Sequence, residues 1–452
     1  MSFGLDTVAL VAAIGASAAA ANLAGRPLLR GLSRAERWAW AVGLGLSFDA
    51  AVDLAARAIG IRPGPGWTFG AVLLAAAAGG LLFRRDDPPA ERRPGGFAGA
   101  ALALAAAAIV LFGIVALSEP MWSNDFLAIW GFKGKTLFFS RTIPARLFHD
   151  PAAAWSHPEY PLWLPSVFGA LASAIGRWDD HALAVLFPAL QAATAAALYG
   201  WTKRRFSPSP AAAAALLSAA FLPLYQGFEV GMAEIPLALA LVLFGAAAID
   251  FSEAPAFPAA ARLALAAFFA ASVKQEGTLF VLLAGAWMAL REIRRRRGPG
   301  AISVLALTIA PAVLHQLLLV VLRGPIADRD FDMSFARPDR WGTLFGRMAE
   351  AAAHLVRPGD AATWLAIFAL AVLAGLARPA GGVGALAILG PPLLAQSAAY
   401  VAICAFSAFD PVWQVEFVPR LLGALFPIAL LAVAPRLAWV GDAARSDRVA
   451  IR

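Results

Sequence analysis

The chain has 452 residues, of which 60% are hydrophobic and only 15% charged, and its mean hydropathy is +0.71. A water-soluble chain of this length carries far more charge, so a soluble globular protein is excluded; continuous Ala/Leu-rich runs also exclude a membrane β-barrel, whose strands alternate. The net charge of +8 comes from arginine clusters between apolar runs, the pattern that sets membrane orientation, and gives no reason to expect a nucleic-acid partner.

In chain order, apolar runs fall near 5–24, 38–59, 66–83, 97–117, 180–201, 209–226, 235–250, 260–273, 278–291, 301–322, 361–378, 383–405 and 419–440, with shorter stretches at 161–177 and 341–356. Most reach the roughly 17–22 residues needed to cross about 30 Å of hydrocarbon. The fold class is therefore all-α, a polytopic helical membrane protein. The first run lacks the basic leader of a signal peptide and reads as a retained span. Cys404 is the single cysteine, so no internal disulfide forms.

Basic clusters follow certain runs: Arg26 to Arg37, Arg84 to Arg93, Lys203 to Arg205, and Arg291 with Arg294 to Arg297. Placing each cluster in the cytoplasm predicts about 13 crossings on two conditions. Residues 161–177 must lie at the outer interface or re-enter, and 260–291 must be two short spans turning at "VKQEG"; a single tilted helix is the competing reading. The N-terminus is then outside and the C-terminus inside. The chain divides into leading helices with a cytoplasmic linker (1–96), a core (97–440) with large outer loops at 118–179 and 323–360, and a cytoplasmic tail (441–452).

Ionisable groups near the hydrocarbon boundary are costly and mark function by default. On the outer side stand Asp125, Lys133 and Lys135 in "MWSNDFLAIWGFKGK", Glu229 and Glu234 in "YQGFEVGMAEIPLAL", Lys274 and Glu276 in "SVKQEGTLF", and Arg420 in "VEFVPRLLGALFP". A carboxylate suits a general base, and Lys and Arg suit a phosphate whose charge grows as it leaves. Trp122 and Trp130 suit the headgroup level and a sugar face. The set points to sugar transfer from a lipid-linked phosphate, and no glycine loop for a nucleotide sugar accompanies it. Each residue also has a structural reading. Ser123, Asn124 and Asp125 all suit a helix N-cap, the lysines suit snorkelling, Lys274 and Glu276 suit a mutual pair, and the arginine clusters suit topology alone. Asp49 and Asp53 in the second span suit helix contacts or a pair with Arg57. Asp328, Asp330 and Asp332 lack the glycine and distal glutamate of a calcium loop and read as solvated.

Four segments, "SEPMWSNDFLAIWGFKGK", "HPEYPLWLPSVFGAL", "SVKQEGTLFVLL" and "VPRLLGALFPIALL", resemble in order and spacing the GT-C superfamily of integral-membrane glycosyltransferases. Within it the likeness is nearest to protein O-mannosyltransferases and lipid A aminoarabinose transferases, over roughly residues 97–440. The resemblance implies a large first outer loop with interfacial helices and an inverting transfer from a polyprenyl-phosphate sugar to a glycan, lipid or protein acceptor. It implies a bacterial cytoplasmic (inner) membrane location, a role in the cell envelope, and a site facing the extracytoplasmic side. It matches Asp125 to the catalytic acid and Lys274 and Arg420 to the donor phosphate, with Lys133 and Lys135 as further phosphate contacts. Glu234, Glu276, Trp122, Trp130, His157, Glu159 and Tyr160 are the substrate-side candidates. The sequence departs from the family at Asn124-Asp125, where Asp-Glu is usual, and at Tyr160-Pro161-Leu162, where a second proline is missing. No metal ligand set stands out, since His157 and Glu159 are only two, and the requirement for a divalent ion stays open. The alternatives are a transporter or flippase of lipid-linked saccharides and a non-catalytic envelope-assembly protein. They differ from the enzyme in leaving the lipid chemically unchanged.

Overall fold

The computed structural model describes residues 2–82, 95–140, 142–144, 146–150, 155–323, 334, 337–355, 384–407, 418 and 420–433. The linker at 83–94, the aspartates at 328, 330 and 332, the run at 361–378 and the tail lie outside these residues. Within them the structure is helical: α1 (Ser2–Ala24), α2 (Arg26–Leu29), α3 (Arg34–Ala58), α4 (Pro65–Leu82), α5 (Gly96–Ser118), α6 (Gly131–Phe139), α7 (Arg146–His149), α8 (Trp163–Ile175), α9 (Leu186–Arg205), α10 (Pro208–Ala219), α11 (Glu234–Glu253), α12 (Phe257–Val273), α13 (Gln275–Arg294), α14 (Gly298–Arg323), α15 (Trp341–Leu355), α16 (Ala385–Phe406) and α17 (Arg420–Val433). Among the described residues seven helical segments are long and apolar enough to cross a membrane: Gly4–Ala24, Arg34–Ala58, Gly96–Ser118, Ala182–Arg205, Glu234–Glu253, Gly298–Leu322 and Ala385–Phe406. Four shorter helices are also apolar: Pro65–Gly79, Trp163–Ile175, Phe257–Val273 and Arg420–Val433. Val110, Leu111 and Ile114 of α5 stand exposed, as lipid-facing side chains do.

Helix α11 is the centre. Every residue from Glu234 to Asp250 is buried, so its apolar character all round is matched by helices on every side. The core runs without a break from Leu10 in α1 to Ala432 in α17. Residues 260–291 form two helices, not one: the backbone of Lys274 is extended (φ −157, ψ 155) and separates α12 from α13. Gly277 makes the sharp turn possible, since a Cβ there would lie 2.0 Å from the Ala270 carbonyl oxygen. The run at 209–226 is helical only to Ala219; beyond it Pro223 and glycines 227 and 231 break the pattern, and the chain makes turns as far as Ala233.

Residues 161–177 do not make a full span. Helix α8 has 13 residues, about 20 Å at 1.5 Å per residue. It is not spread on a surface but buried against α3 and α6. Trp163 Nε1 donates to Ser47 Oγ at 3.0 Å, and Gly169 packs on Asp53 and Arg57. Arg57 is fully buried. It forks onto Asp53 and donates to the carbonyls of Leu137 and Ser140, filling the last acceptors of α6. The expected pair with Asp53 is therefore present, and it also anchors the first loop. Asp49 accepts from Ser17 Oγ at 2.7 Å, joining α3 to α1.

The end of α11 distal to Glu234 holds an ion network. Arg204 reaches Glu36 and Asp250, each at 2.8 Å, Arg205 reaches Asp250 at 2.7 Å and Glu253 at 2.6 Å, and Arg262 reaches Asp250 at 3.5 Å. Glu36 also completes a capping box with Ser33 at the start of α3. Arginines read only as orientation signals thus tie α3, α9, α11 and α12 together. Arg204→Ala leaves Glu36, 4% exposed, without its arginine and takes one of three arginines from Asp250, 9% exposed. It should lower unfolding free energy by on the order of 3 kcal/mol, whereas Arg337→Ala, in an exposed pair with Asp339, should cost less than about 1 kcal/mol. Thermal unfolding of the detergent-solubilised protein measures both.

Candidate active site

Four separate stretches of chain meet at the opposite end of α11. The first is the start of the first loop. Ser123 Oγ accepts from the Phe126 amide at 3.3 Å and so takes the capping role. Asp125 makes no capping bond and is left for other work. A π-helical turn, Phe126–Trp130, follows, a local widening that recurs at functional sites. The second stretch is the turn before α11. Gly231 has φ +99, and a Cβ on it would lie 2.7 Å from the Phe126 side chain. Only glycine combines that backbone with that approach, which holds the 229–234 turn against Asp125's neighbour. The third is the Lys274 break, and the fourth is the start of α17.

The side chains form one continuous ion chain. Arg420 Nη2 lies 3.1 Å from Asp125 Oδ2, and Arg420 Nε lies 2.9 Å from Glu234 Oε1. Lys274 Nζ donates to the same Glu234 oxygen at 2.8 Å and lies 3.0 Å from Glu276 Oε1. Glu234 is completely buried, whereas the side chains of Arg420 and Asp125 are 15% and 24% exposed. Asp125 is thus the most accessible acid of the ion chain. Glu234 and Gln275 begin α11 and α13, so two helix N-termini converge here. Their partial positive charge offsets the carboxylates and favours an anion.

Two groups join: Glu229, which the sequence placed among the outer-side charges without a role, and Tyr400, which it did not single out. Glu229, in the turn before α11, is buried, and its Oε2 has no hydrogen-bond partner among the described residues. Burial, reinforced by the Glu234 charge and opposed by Arg420 and Lys274, pushes its carboxyl up to about 8. Tyr400 of α16 is buried near Glu276 and Glu234 and bonds Gln396 Nε2 at 2.9 Å, while Gln396 also donates to the Glu276 carbonyl at 3.2 Å. An apolar run with one Gln and one Tyr gives little sequence signal for this. For Lys274, burial favours the neutral amine, but Glu234 and Glu276 outweigh it and raise the ammonium pKa.

The remaining candidates form a second grouping beside α6. Lys133 is fully buried, donates to the His157 carbonyl and lies 6.0 Å from the Tyr160 ring centre. Tyr160 is stacked between Trp130 at 5.5 Å and His157 at 4.7 Å. His157 Nδ1 is 2.9 Å from Glu159, and its backbone is left-handed (φ 51). These contacts fasten the "HPEYP" turn to α6. Trp130 is fully buried inside the protein and so is not a lipid-contacting anchor; Trp122 is exposed, donates to Glu119 at 2.6 Å and packs edge-on to Phe228. Lys135 is exposed, because residues two apart on a helix point to different sides, and it stands away from buried Lys133. Among the described residues no three His, Cys, Asp or Glu side chains are grouped to hold a metal ion.

Comparison of the chain with known protein families, curated proteins and solved structures gives no match. The site is therefore read from its own chemistry. It offers one accessible carboxylate, two cations held in place, and a neutral acid at its edge.

The Glu229 carboxyl binds its proton in the folded state up to about pH 8 but releases it near 4.5 when unfolded. Between those values the folded state holds the extra proton, so this group's contribution to stability is full below about pH 4.5 and falls as pH rises toward 8. Glu229→Gln removes the titration. Its apparent melting temperature should exceed that of the parent at pH 8.5 and show no such gain at pH 5; an equal shift at both would contradict the assignment.

Proposed function

We propose that the protein is an inverting glycosyltransferase that moves a sugar from a polyprenyl-phosphate donor to an acceptor at the extracytoplasmic face of a bacterial inner membrane. The finer architecture belongs to this reading: about 13 crossings, with a GT-C-like first loop (118–179) carrying α6 and α8. The observation that carries it is the Asp125–Arg420–Glu234–Lys274 ion chain, in which a reachable base shares a cation with a buried scaffold. Such a set has the parts that displacement of a phosphate requires.

Both cations are already paired, which determines the order of events. A donor phosphate exchanges with Asp125 on Arg420 Nη2, while Glu234 keeps Arg420 and Lys274 in place. Freed from the guanidinium, the Asp125 carboxylate is open to accept the proton from the acceptor hydroxyl or amine. The acceptor atom forms its bond to the anomeric carbon from the face opposite the phosphate. The carbon–oxygen bond to the phosphate breaks, its electron pair leaves with the phosphate oxygen, and Arg420 with Lys274 balances the charge. The neutral Glu229 adds no repulsion to the entering anion. Exposed apolar helix faces around the site suit a prenyl chain in the bilayer.

Asp125→Asn should leave the protein folded and inserted, as judged by gel filtration in detergent, and lower sugar transfer from a polyprenyl-phosphate sugar by about 10²–10⁴-fold. Undiminished transfer would remove the mechanism. Purified protein in liposomes that moves the lipid across without chemical change would replace the enzyme by a transporter.

A further inference from the structure

A cavity of about 420 Å³ lies at the end of α11 opposite the ion chain, between the last turns of α11 and α13 and the first turn of α14. Its floor is apolar, with Met288 and Val304 buried and Phe251 half-buried. Its rim carries Arg291, Arg295 and Arg297 against Glu253 and Glu292. The two carboxylates are already engaged, Glu253 by Arg205 at 2.6 Å and Glu292 by Arg295 at 3.2 Å. Among the described residues Arg291 and Arg297 make no direct ion pair; Glu292 acts on Arg291 at longer range, and the rim carries three arginines against two acids. Arg296, between them, has a left-handed backbone (φ 60), the position at a helix end where glycine is usual. That strained turn directs Arg297 back over the end of α13, its amide bonded to the Glu292 carbonyl at 2.9 Å.

Arginines placed only to orient the membrane need no cavity and no apolar floor. Here an arginine-rich rim stands above an apolar pocket between α11, α13 and α14, of which α11 and α14 are long and apolar enough to cross a membrane, and a planar guanidinium pairs with phosphate oxygens through two parallel bonds. Basic pockets between helices on the cytoplasmic side hold the headgroups of acidic lipids. We propose that this cavity is a binding site for a phosphate anion, supplied by the headgroup of an acidic phospholipid whose first acyl carbons lie along Met288, Val304 and Phe251. The inference does not depend on the glycosyltransferase reading.

The full-length protein in detergent is titrated with cardiolipin, phosphatidylglycerol and phosphatidylcholine, and bound lipid is counted by native mass spectrometry; sodium pyrophosphate serves as the lipid-free phosphate. Cardiolipin and phosphatidylglycerol should bind in preference to phosphatidylcholine. Arg291→Gln with Arg297→Gln should weaken that binding by about tenfold or more. Arg294→Gln with Arg296→Gln removes the same charge outside the cavity lining and should change it less than about threefold. Arg297→Gln alone, at an exposed turn, gives the readout if the double variant does not fold. Equal losses in the two double variants, or no preference over phosphatidylcholine, would overturn the site. Pyrophosphate binding as tightly as lipid, with loss in the Arg291/Arg297 variant, would retain the phosphate site and overturn the lipid as its source.

Discussion

One carboxylate oxygen organises the polar end of this protein. Glu234 Oε1 accepts from Lys274 Nζ at 2.8 Å and lies 2.9 Å from Arg420 Nε, in a position with no solvent exposure. An isolated carboxylate there would be driven to neutrality, and without it the Lys274 ammonium would be too, while the Arg420 guanidinium would be left as an unpaired charge. Each member therefore requires the others, and the requirement fixes geometry. The start of α11, the α12–α13 break and the start of α17 must meet at one point. The N-terminal ends of α11 and α13 help make that point tolerable for carboxylates. Asp125 is attached to the outer side of this assembly through Arg420, with less burial and a replaceable partner.

The two ends of α11 use charge differently. At the Asp250 end, three arginines and three acids are matched into a lock between helices. At the Glu234 end the matching is incomplete: among the described residues Glu229 Oε2 has no hydrogen-bond partner, and burial holds its carboxyl pKa well above the ordinary value. Between them α11 is apolar for about 24 Å, from Glu234 to Asp250 at 1.5 Å per residue. A closed network suits mechanical stability, and an unsaturated one suits exchange of a ligand for an internal partner. The basic cavity beyond Glu253 is unsaturated in the same sense, with arginine in excess.

Much of the helical frame was legible from hydropathy, because burial in lipid demands apolar length and internal hydrogen bonding. Helices α1, α3, α4, α5, α11, α14 and α16 fall within a few residues of the apolar runs. The turn at Lys274 was legible as a polar interruption between short runs. The early end of α10 was not, since Ala219 through Tyr225 are as apolar as a helix, and only the packing of Pro223 and Gly231 shows where the chain turns. Trp130 read as an interfacial tryptophan because aromatics next to charges usually are; its burial follows from the stack on Tyr160, more than 25 residues away in sequence.

The amino-acid sequence by itself determined the membrane class, the helical segments and the small set of charges that an apolar environment makes costly. These are local properties, set by composition and by the spacing of residues along one helix. It also identified Asp125, Glu234, Lys274 and Arg420 as candidates. Only the tertiary structure decided that the four form a single ion chain, that Ser123 and not Asp125 caps the helix, that Lys133 belongs to the His157–Tyr160 turn, and that Glu229 stands beside the cluster. Those outcomes depend on which oxygen lies within about 3 Å of which nitrogen across 40 to 295 residues of chain, and such distances are fixed by helix packing, which no local pattern encodes.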